Sequence, residues 1–534
     1  MRQVRKSAVL VLLLFCVASL SFGATISGTV KGPDGKPFMG AFVEAQNLDS
    51  RITVNVLSSR DGAYRVENLP EGQYQLKIRA VGYRFEPRTG IELSADQNAT
   101  YDLALEKGTV HWTDISIYQG AQILPDGRGK DLLTTRCFGC HGFQSRMAAQ
   151  VRDEVGWRDR VNYMRTTFGY LIGPFSEEDR DTVTAYLTKY FGPDSALPRS
   201  PAETPKYESV KPAPYTDDAM KIVYVSYELP GNNRFPGSAR PLRDGNVWVW
   251  QYRGHWFSKL DPKTGQFTEY AIPNVDQASN HAVVIAPDNN IWFSEQATDT
   301  LGKMDPVTRK ITRYTEKSRG TRHTIVIDSK GMVWSTGSPL SRFDPETETY
   351  TDFPEVPSAY GIALDKDENV WFSEFTKDGK IGKVDAKTGK ITKYAQPTPD
   401  SWPRRLKIDA QGNVWFCEYE GGKIGRFDPK TETFKEFPLP GGRPSPYALE
   451  IDKNTGHLWI SSLEMDTVTE MDPATGKLIT YPFLFSENGM RDFFQDAEGR
   501  MWWGSQSNNR IGYFYLTGKG TTQRAAADLV KGGK

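Results

Sequence analysis

A chain of 534 residues is long enough for three or four domains, each with its own core. Lys+Arg and Asp+Glu both total 66, so no overall basic field favours nucleic acid or an anionic membrane, and partners have to be sought locally. Aromatic residues make up 12% of the chain and Gly is abundant at 48, a composition biased towards β-rich architecture with many tight turns.

At the N-terminus, Arg2, Arg5 and Lys6 precede an apolar run from Ala8 to Leu20, and Ser21-Phe22-Gly23 offers a small-x-small cleavage site. This is the pattern of a secretory signal peptide over residues 1–23, which places the mature chain in the periplasm or another exported setting. The run is short for a bilayer span, so no integral membrane segment is expected after cleavage. Cys16 is lost with it, leaving Cys137, Cys140 and Cys417.

Residues 24–107 read as short strands with period-two alternation and Gly-rich turns, as in Ile26-Ser27-Gly28-Thr29-Val30, Pro33-Asp34-Gly35 and Asp61-Gly62-Ala63-Tyr64-Arg65-Val66. The stretch resembles the carboxypeptidase regulatory-like family, which implies a small transthyretin-like β-sandwich. No catalytic cluster falls here, so a stabilising or docking role is expected.

Residues 118–194 are organised around Cys137-Phe138-Gly139-Cys140-His141, the C-x-x-C-H attachment motif of a c-type haem. Each thiol can bond one haem vinyl group, and the adjacent imidazole of His141 can coordinate the iron. A zinc site would need a second ligand pair, and none is nearby. Ser176-x-x-Asp179 opens a final helix in which Val183, Tyr186, Leu187, Tyr190 and Phe191 form one apolar face before Gly192-Pro193. The segment is similar to compact cytochrome c domains, which implies an all-α unit in which the first and last helices cross. For the sixth iron position, Met147 follows His141 too closely for the chain to cross the haem. Met164 has the necessary length of chain and is the expected axial ligand, a pairing suited to electron transfer.

Residues 195–220 are rich in Pro and polar side chains and read as a flexible linker. Beyond it, Trp248, Trp292, Trp334, Trp371, Trp415, Trp459 and Trp502 mark seven repeats with four short strands apiece, so residues 221–516 are expected to form a seven-bladed β-propeller. The last repeat lacks an outer strand, and Val225-Ser226-Tyr227-Glu228-Leu229-Pro230 is expected to supply it from the other end. Residues 517–534 form a polar tail. The fold class is thus multidomain: β-sandwich, all-α cytochrome c domain and seven-bladed propeller.

The recurrent W-F-x-E and I-G-x-x-D-P-x-T-G segments resemble the virginiamycin B lyase family of propellers. Eleven residues before each Trp, at the mouth of the central channel, stand His281, His323, Tyr360, Arg404 and Arg491, with Tyr447 one residue further back in the sixth repeat. Together they form a polar, partly cationic ring suited to an anionic or carbonyl-bearing small molecule. The family resemblance implies catalysis by histidines and a Glu at this mouth with a divalent cation such as Mg. His281 and Glu295 have the spacing for it, but Thr298 stands where a second His would follow; aligning His323 instead puts Gly337 and Leu340 at the remaining positions. Glu295, Glu374 and Glu418 also share one repeat position, which points to blade packing, and Cys417 is expected to be a buried, inert thiol.

Two main functions and a third, a binding scaffold, follow. One is an exported c-type cytochrome carrying electrons through a single haem c to a redox partner protein, with a propeller that binds the substrate or partner. The other is a lyase-like elimination enzyme with His281, Glu295 or His323 as catalytic groups, and the third is a non-enzymatic scaffold.

Overall fold

The computed structural model describes residues 23–518 apart from 168, 170–172, 233, 243, 253, 277 and 316–321, so the segment expected to be a signal peptide, except Gly23, and most of the tail expected to be polar lie outside the described residues. Strands account for 41% of the chain and helices for 14%. Six four-stranded antiparallel sheets follow one another from Pro236 to Pro482. A seventh begins with strands Phe493–Gln495, Met501–Ser505 and Arg510–Leu516. Its fourth strand is Ile222–Glu228, which pairs antiparallel with Arg510–Leu516, Val225 opposite Tyr513. The N-terminal strand therefore closes the ring as its outer-strand pattern predicts.

Side-chain packing explains why the repeat folds this way. In every blade the marker Trp lies on the second strand against an aromatic ring of the outermost strand. The pairs are Trp248–Tyr270, Trp292–Tyr314, Trp334–Phe353, Trp371–Tyr394, Trp415–Phe437, Trp459–Tyr481 and Trp502–Tyr227, with centroids 5.2 to 6.1 Å apart. The seventh ring, Tyr227, comes from the closing strand. In four blades an Asp six residues earlier ties the turn to the indole. Asp328, Asp365, Asp409 and Asp496 accept from Trp Nε1 at 2.6 to 3.1 Å and from a turn N–H at 2.8 to 3.0 Å. The Gly of the I-G-x motif is required by close approach. A Cβ on Gly382 would lie 2.2 Å from the Phe372 ring.

Unlike an ordinary blade, the seventh continues outward. The free edge of Ile222–Glu228 pairs with Thr53–Leu57 of the N-terminal sandwich, giving one eight-stranded sheet that runs on through Phe42–Asn47, Gly72–Arg79 and Arg88–Leu93. Asn55 Nδ2 donates to the Tyr224 carbonyl at 3.1 Å, and Val54, Val56, Val223, Val225 and Tyr227 share one apolar cluster. The pairing removes a sheet edge from both units.

The all-α cytochrome c domain expected over 118–194 is not formed. The protein is dominated by β-sheet, and its helices are short: α1 Ile117–Ile123, α2 Arg128–Leu132, α3 Glu154–Thr167 and α4 Glu177–Phe191. The capping box of α4 is present, with Ser176 Oγ accepting from Asp179 N at 3.0 Å, and Val183, Tyr186, Leu187 and Phe191 are buried. Yet α4 packs on α2 and α3 instead of crossing α1. A Cβ on Gly129 of α2 would lie 2.4 Å from Tyr186. The propeller takes up α1: Tyr118 N donates to the Glu464 carbonyl at 2.9 Å, and a Cβ on Gly442 would lie 2.2 Å from the Tyr118 hydroxyl. Residues 195–220 are largely exposed but touch the helices at a few points. They wind into 3-10 turns in which Tyr207 and Val210, three residues apart, bury against the helices, and Trp112 Nε1 donates to the Pro198 carbonyl at 2.9 Å. Two apolar residues are too few to register as a periodic face.

Because Tyr227 is buried in the joint between ring closure and sandwich, Tyr227→Ala should cost about 3 kcal/mol or more, as for other large aromatic truncations. Tyr394→Ala, at a half-buried outer position of an interior blade, should cost clearly less in the same denaturant titration. Equal losses would show that ring closure does not rest on this contact.

Candidate functional site

Cys140 N and His141 N both reach back to the Cys137 carbonyl, at 3.1 and 3.2 Å, so the motif forms a helical turn with Cys137, Cys140 and His141 on one face. The π-helical turn Leu133–Cys137 leads into it from α2, and Phe138, Phe143 and Met147 form the apolar wall behind it. His141 Nδ1 lies 2.9 Å from the Gly142 carbonyl, and among the described residues no hydrogen bond engages Nε2. Burial, with Arg146 and Arg491 nearby, holds the imidazole down to about 4 despite the Gly142 bond and Glu487, so His141 is neutral at physiological pH. The Cys137 thiol is pushed up to about 12, by burial first and then by Cys140, which argues against a reactive dithiol. Met164 is half-buried on α3 and stays outside the apolar cluster that takes in Met147.

The propeller grips this turn directly. Glu487, in the loop entering the seventh blade, accepts from Gly142 N at 3.1 Å, from Ser145 N at 2.7 Å and from Ser507 Oγ at 2.8 Å. Arg404 Nη2 donates to the Gly139 carbonyl at 3.4 Å, and Arg491 Nη2 donates to the Cys140 carbonyl. The motif therefore sits on the channel mouth.

All six mouth residues expected from the repeat register meet there. The His281 and His323 rings lie 3.4 Å apart between centroids, and His323 and Tyr360 lie 4.3 Å apart. Tyr360 and Tyr447 are hydrogen-bonded through their hydroxyls, and Arg491 Nη1 donates to the Tyr447 hydroxyl at 2.8 Å. The Arg404 guanidinium stands 3.6 Å from the Tyr447 ring centroid and within 5.0 Å of Tyr360, Phe375 and Tyr419. Burial first, then the neighbouring guanidiniums, hold His281 well below its ordinary value; for His323 the His281 ring adds to both. Among the described residues, Arg404 Nε and Nη1, Arg405 Nε and His281 Nδ1 are buried without a hydrogen-bond partner.

Sequence reasoning missed Arg405, Tyr252, Tyr419, Asp492 and Glu487. Arg405 follows a residue already singled out and bonds Asp492 at 3.2 Å. Glu487 carries no local signal, because the Gly142 and Ser145 amides it holds are about 345 residues away in sequence. Glu295 is brought near the mouth only along the chain. Its carboxylate is held by Arg313 of the same blade at 2.6 and 2.9 Å and by Thr298 Oγ1 at 2.6 Å, so it is committed to an ion pair and is not placed as a base. Glu374 is paired likewise with Lys393 at 2.6 Å. In the fifth blade the partner position holds Glu436, which Lys423 takes at 2.8 Å. Glu418 is left buried with both oxygens unpaired, and burial, then Glu436, push it up to about 8 against the pull of Lys423. Cys417 is fully buried, and burial pushes its thiol up.

A divalent cation does not fit this mouth. Three guanidiniums surround His281 and His323, the nearby carboxylate Asp492 is bonded to Arg405, and no group of three or more His, Cys, Asp or Glu suited to a metal occurs among the described residues. Among the same residues, no helix is long and apolar enough to cross a membrane.

Residues 25–106 match the carboxypeptidase regulatory-like domain family, and residues 346–528 match the virginiamycin B lyase family. No curated protein matches the chain. Among solved structures, selenomethionine-substituted virginiamycin B lyase from Staphylococcus aureus is 23% identical and covers 55% of this chain and 99% of its own, with a TM-score of 0.51. A streptogramin B lyase structure is 23% identical over 57% of this chain and all of its own, with a TM-score of 0.52. A catalytically inactive histidine variant of the Staphylococcus aureus lyase, crystallised with quinupristin, is 24% identical over 55% of this chain and 99% of its own, with a TM-score of 0.50. At these identities the likeness establishes a shared propeller fold and no more. Neither family match includes a cytochrome, and neither covers the C-x-x-C-H segment.

Glu418 generates a pH prediction. An ordinary Glu titrates near 4.5, so between that value and about 8 the folded protein holds a proton that the unfolded chain has released. Its contribution to stability is complete below 4.5 and lost as pH rises through 8. Glu418→Gln should therefore match the parent in thermal denaturation at about pH 5 and melt higher than it at about pH 9. A variant less stable at both would mean that the carboxylate has a partner.

Proposed function

We propose that this chain is an exported electron-transfer protein that would carry one haem c on Cys137 and Cys140, with His141 and Met164 as the residues that would hold its iron, and would present it to a propeller mouth that binds an anionic small molecule or a redox partner protein. The reading does not need the cytochrome domain that the sequence suggested, because attachment depends on five residues of local chain. What carries it is the seat of the motif. Two thiols and a neutral imidazole, whose Nε2 no hydrogen bond engages among the described residues, share one face, and Arg404, Arg491 and Glu487 hold their backbone against the His/Tyr/Arg cluster. A haem held there would supply a one-electron carrier whose potential follows its ligands and surroundings. The chain's own residues do the rest. Phe138, Phe143 and Met147 exclude water behind the turn, burial keeps His141 in its ligating form, and Arg404 offers two unpaired donors to an incoming oxygen.

A second reading, elimination of the virginiamycin B lyase kind, is supported by the propeller fold and by two neutral imidazoles in contact at the mouth. Against it stand Glu295 locked to Arg313, a mouth hostile to a divalent cation, and a chain segment lying over the entrance.

If the first reading holds, protein secreted by a host with haem-maturation machinery retains its haem through denaturation and acid-solvent extraction, and Cys137→Ala with Cys140→Ala abolishes retention. Met164→Ala should then remove the thioether-to-iron absorption band and lower the reduction potential. Haem that extracts freely from the parent would sink the attachment. The lyase reading has its own assay. Incubation with quinupristin and magnesium should leave the depsipeptide ring intact, and ring opening that disappears in His281→Ala would replace the first reading with the second.

A further inference from the structure

Three guanidiniums, Arg404, Arg405 and Arg491, crowd the buried mouth. The carboxylate in direct contact with them is Asp492, on Arg405 at 3.2 Å. Arg491 spends its donors on neutral acceptors: the Tyr447 hydroxyl, the Cys140 carbonyl and Gln506 Oε1 at 3.0 Å. Arg404 has the Gly139 carbonyl and four aromatic faces. Buried cations without matching anions are costly, so the cluster calls for a further negative charge.

The tyrosine pair is built to supply it. Tyr360 and Tyr447 share a single oxygen–oxygen contact, and the Tyr447 oxygen also accepts from Arg491. Two neutral phenols would bring two hydroxyl hydrogens to that one contact. No other acceptor bonds either hydroxyl among the described residues, so the second hydrogen would be buried unsatisfied. Removing it relieves the defect, and the remaining oxygen is one that accepts from both Tyr360 and Arg491.

We infer that the Tyr360–Tyr447 pair holds one proton, as a phenol beside a phenolate on Tyr447 that balances Arg404 and Arg491 and acts as the proton acceptor of the propeller mouth. The three cations around Tyr447 favour a phenolate, and the carboxylates nearby are each paired with an arginine. Arg491, Arg404 and Arg405 face Tyr447 at 5.2, 3.6 and 6.0 Å from its ring centroid. His281 and His323 are neutral. Tyr252 faces Arg491, Tyr419 is bonded to Glu464 at 3.1 Å, and Glu464 is held in turn by Arg443 at 2.8 Å. Asp492 is screened by Arg405, and Cys140 and His141 lie beyond Arg491. Burial by itself would raise the phenol of Tyr447, but Arg404, Arg491 and Arg405 outweigh it, and it titrates below an ordinary tyrosine while Tyr360 is raised. The inference is independent of haem attachment. It places a base beside the unpaired Nε and Nη1 of Arg404, where an acid surrendering its proton would leave its anion.

Ultraviolet resonance Raman of the full-length protein separates phenolate ring modes from phenol and from any other chromophore. The parent at neutral pH should show one phenolate per chain that disappears on acidification, and Tyr447→Phe should show none. Arg404→Gln, which keeps both tyrosines, should move the phenolate's midpoint to higher pH, so the assignment does not hang on one variant's folding. A parent spectrum with no phenolate until the alkaline range of ordinary tyrosine would overturn the inference.

Discussion

The strand Ile222–Glu228 is hydrogen-bonded along both edges, to Arg510–Leu516 on one side and to Thr53–Leu57 on the other. Closing a propeller brings the ends of the repeat together at an entropic cost that grows only slowly with chain length, so one well-paired strand is enough to hold the ring. Here the same strand also welds on the N-terminal sandwich and gives the seventh blade its stacking ring, Tyr227. Sandwich, closure and the geometry of the channel mouth are thus mechanically continuous. A sandwich joined by a shared sheet and a shared apolar cluster is a structural extension of the propeller, not a tethered accessory.

At the mouth, electrostatics dominates. The repeat register delivers one inner-strand side chain per blade to a closed space where water cannot screen, and this protein spends two of those positions on arginine, with Arg405 adding a third cation. Desolvation keeps both histidines and His141 neutral, so the positive charge is carried by guanidiniums that cannot shed it. Backbone carbonyls of the Cys-x-x-Cys turn and the tyrosine pair are recruited as acceptors. That arrangement explains why a segment joined to the propeller through a Pro-rich stretch is seated on it.

The blades also show how one repeat position acquires different physics. Glu295 and Glu374 are neutralised across their own blade by Arg313 and Lys393, whereas Glu418 faces Glu436. Propeller geometry is tolerant enough to keep the fold while a single outer-strand substitution converts a buried ion pair into a buried acid. The likeness of the Glu residues in sequence hides this difference, since pairing is decided by a strand two positions away in the sheet.

By itself the sequence determined the seven-fold repeat, the closing strand, the sandwich, the α4 capping box and the six side chains of the mouth, because each rests on a period or a local turn written into contiguous residues. The C-x-x-C-H pattern is equally local. Tertiary structure alone decided that the helices around that motif do not form a separate all-α domain, that Tyr207 and Val210 bury against those helices, and that Glu295 is spent on Arg313. It alone placed Gly139 and Cys140 under Arg404 and Arg491, and Gly142 on Glu487. Those contacts join segments hundreds of residues apart through backbone atoms, which carry no residue-specific signature for sequence to reveal.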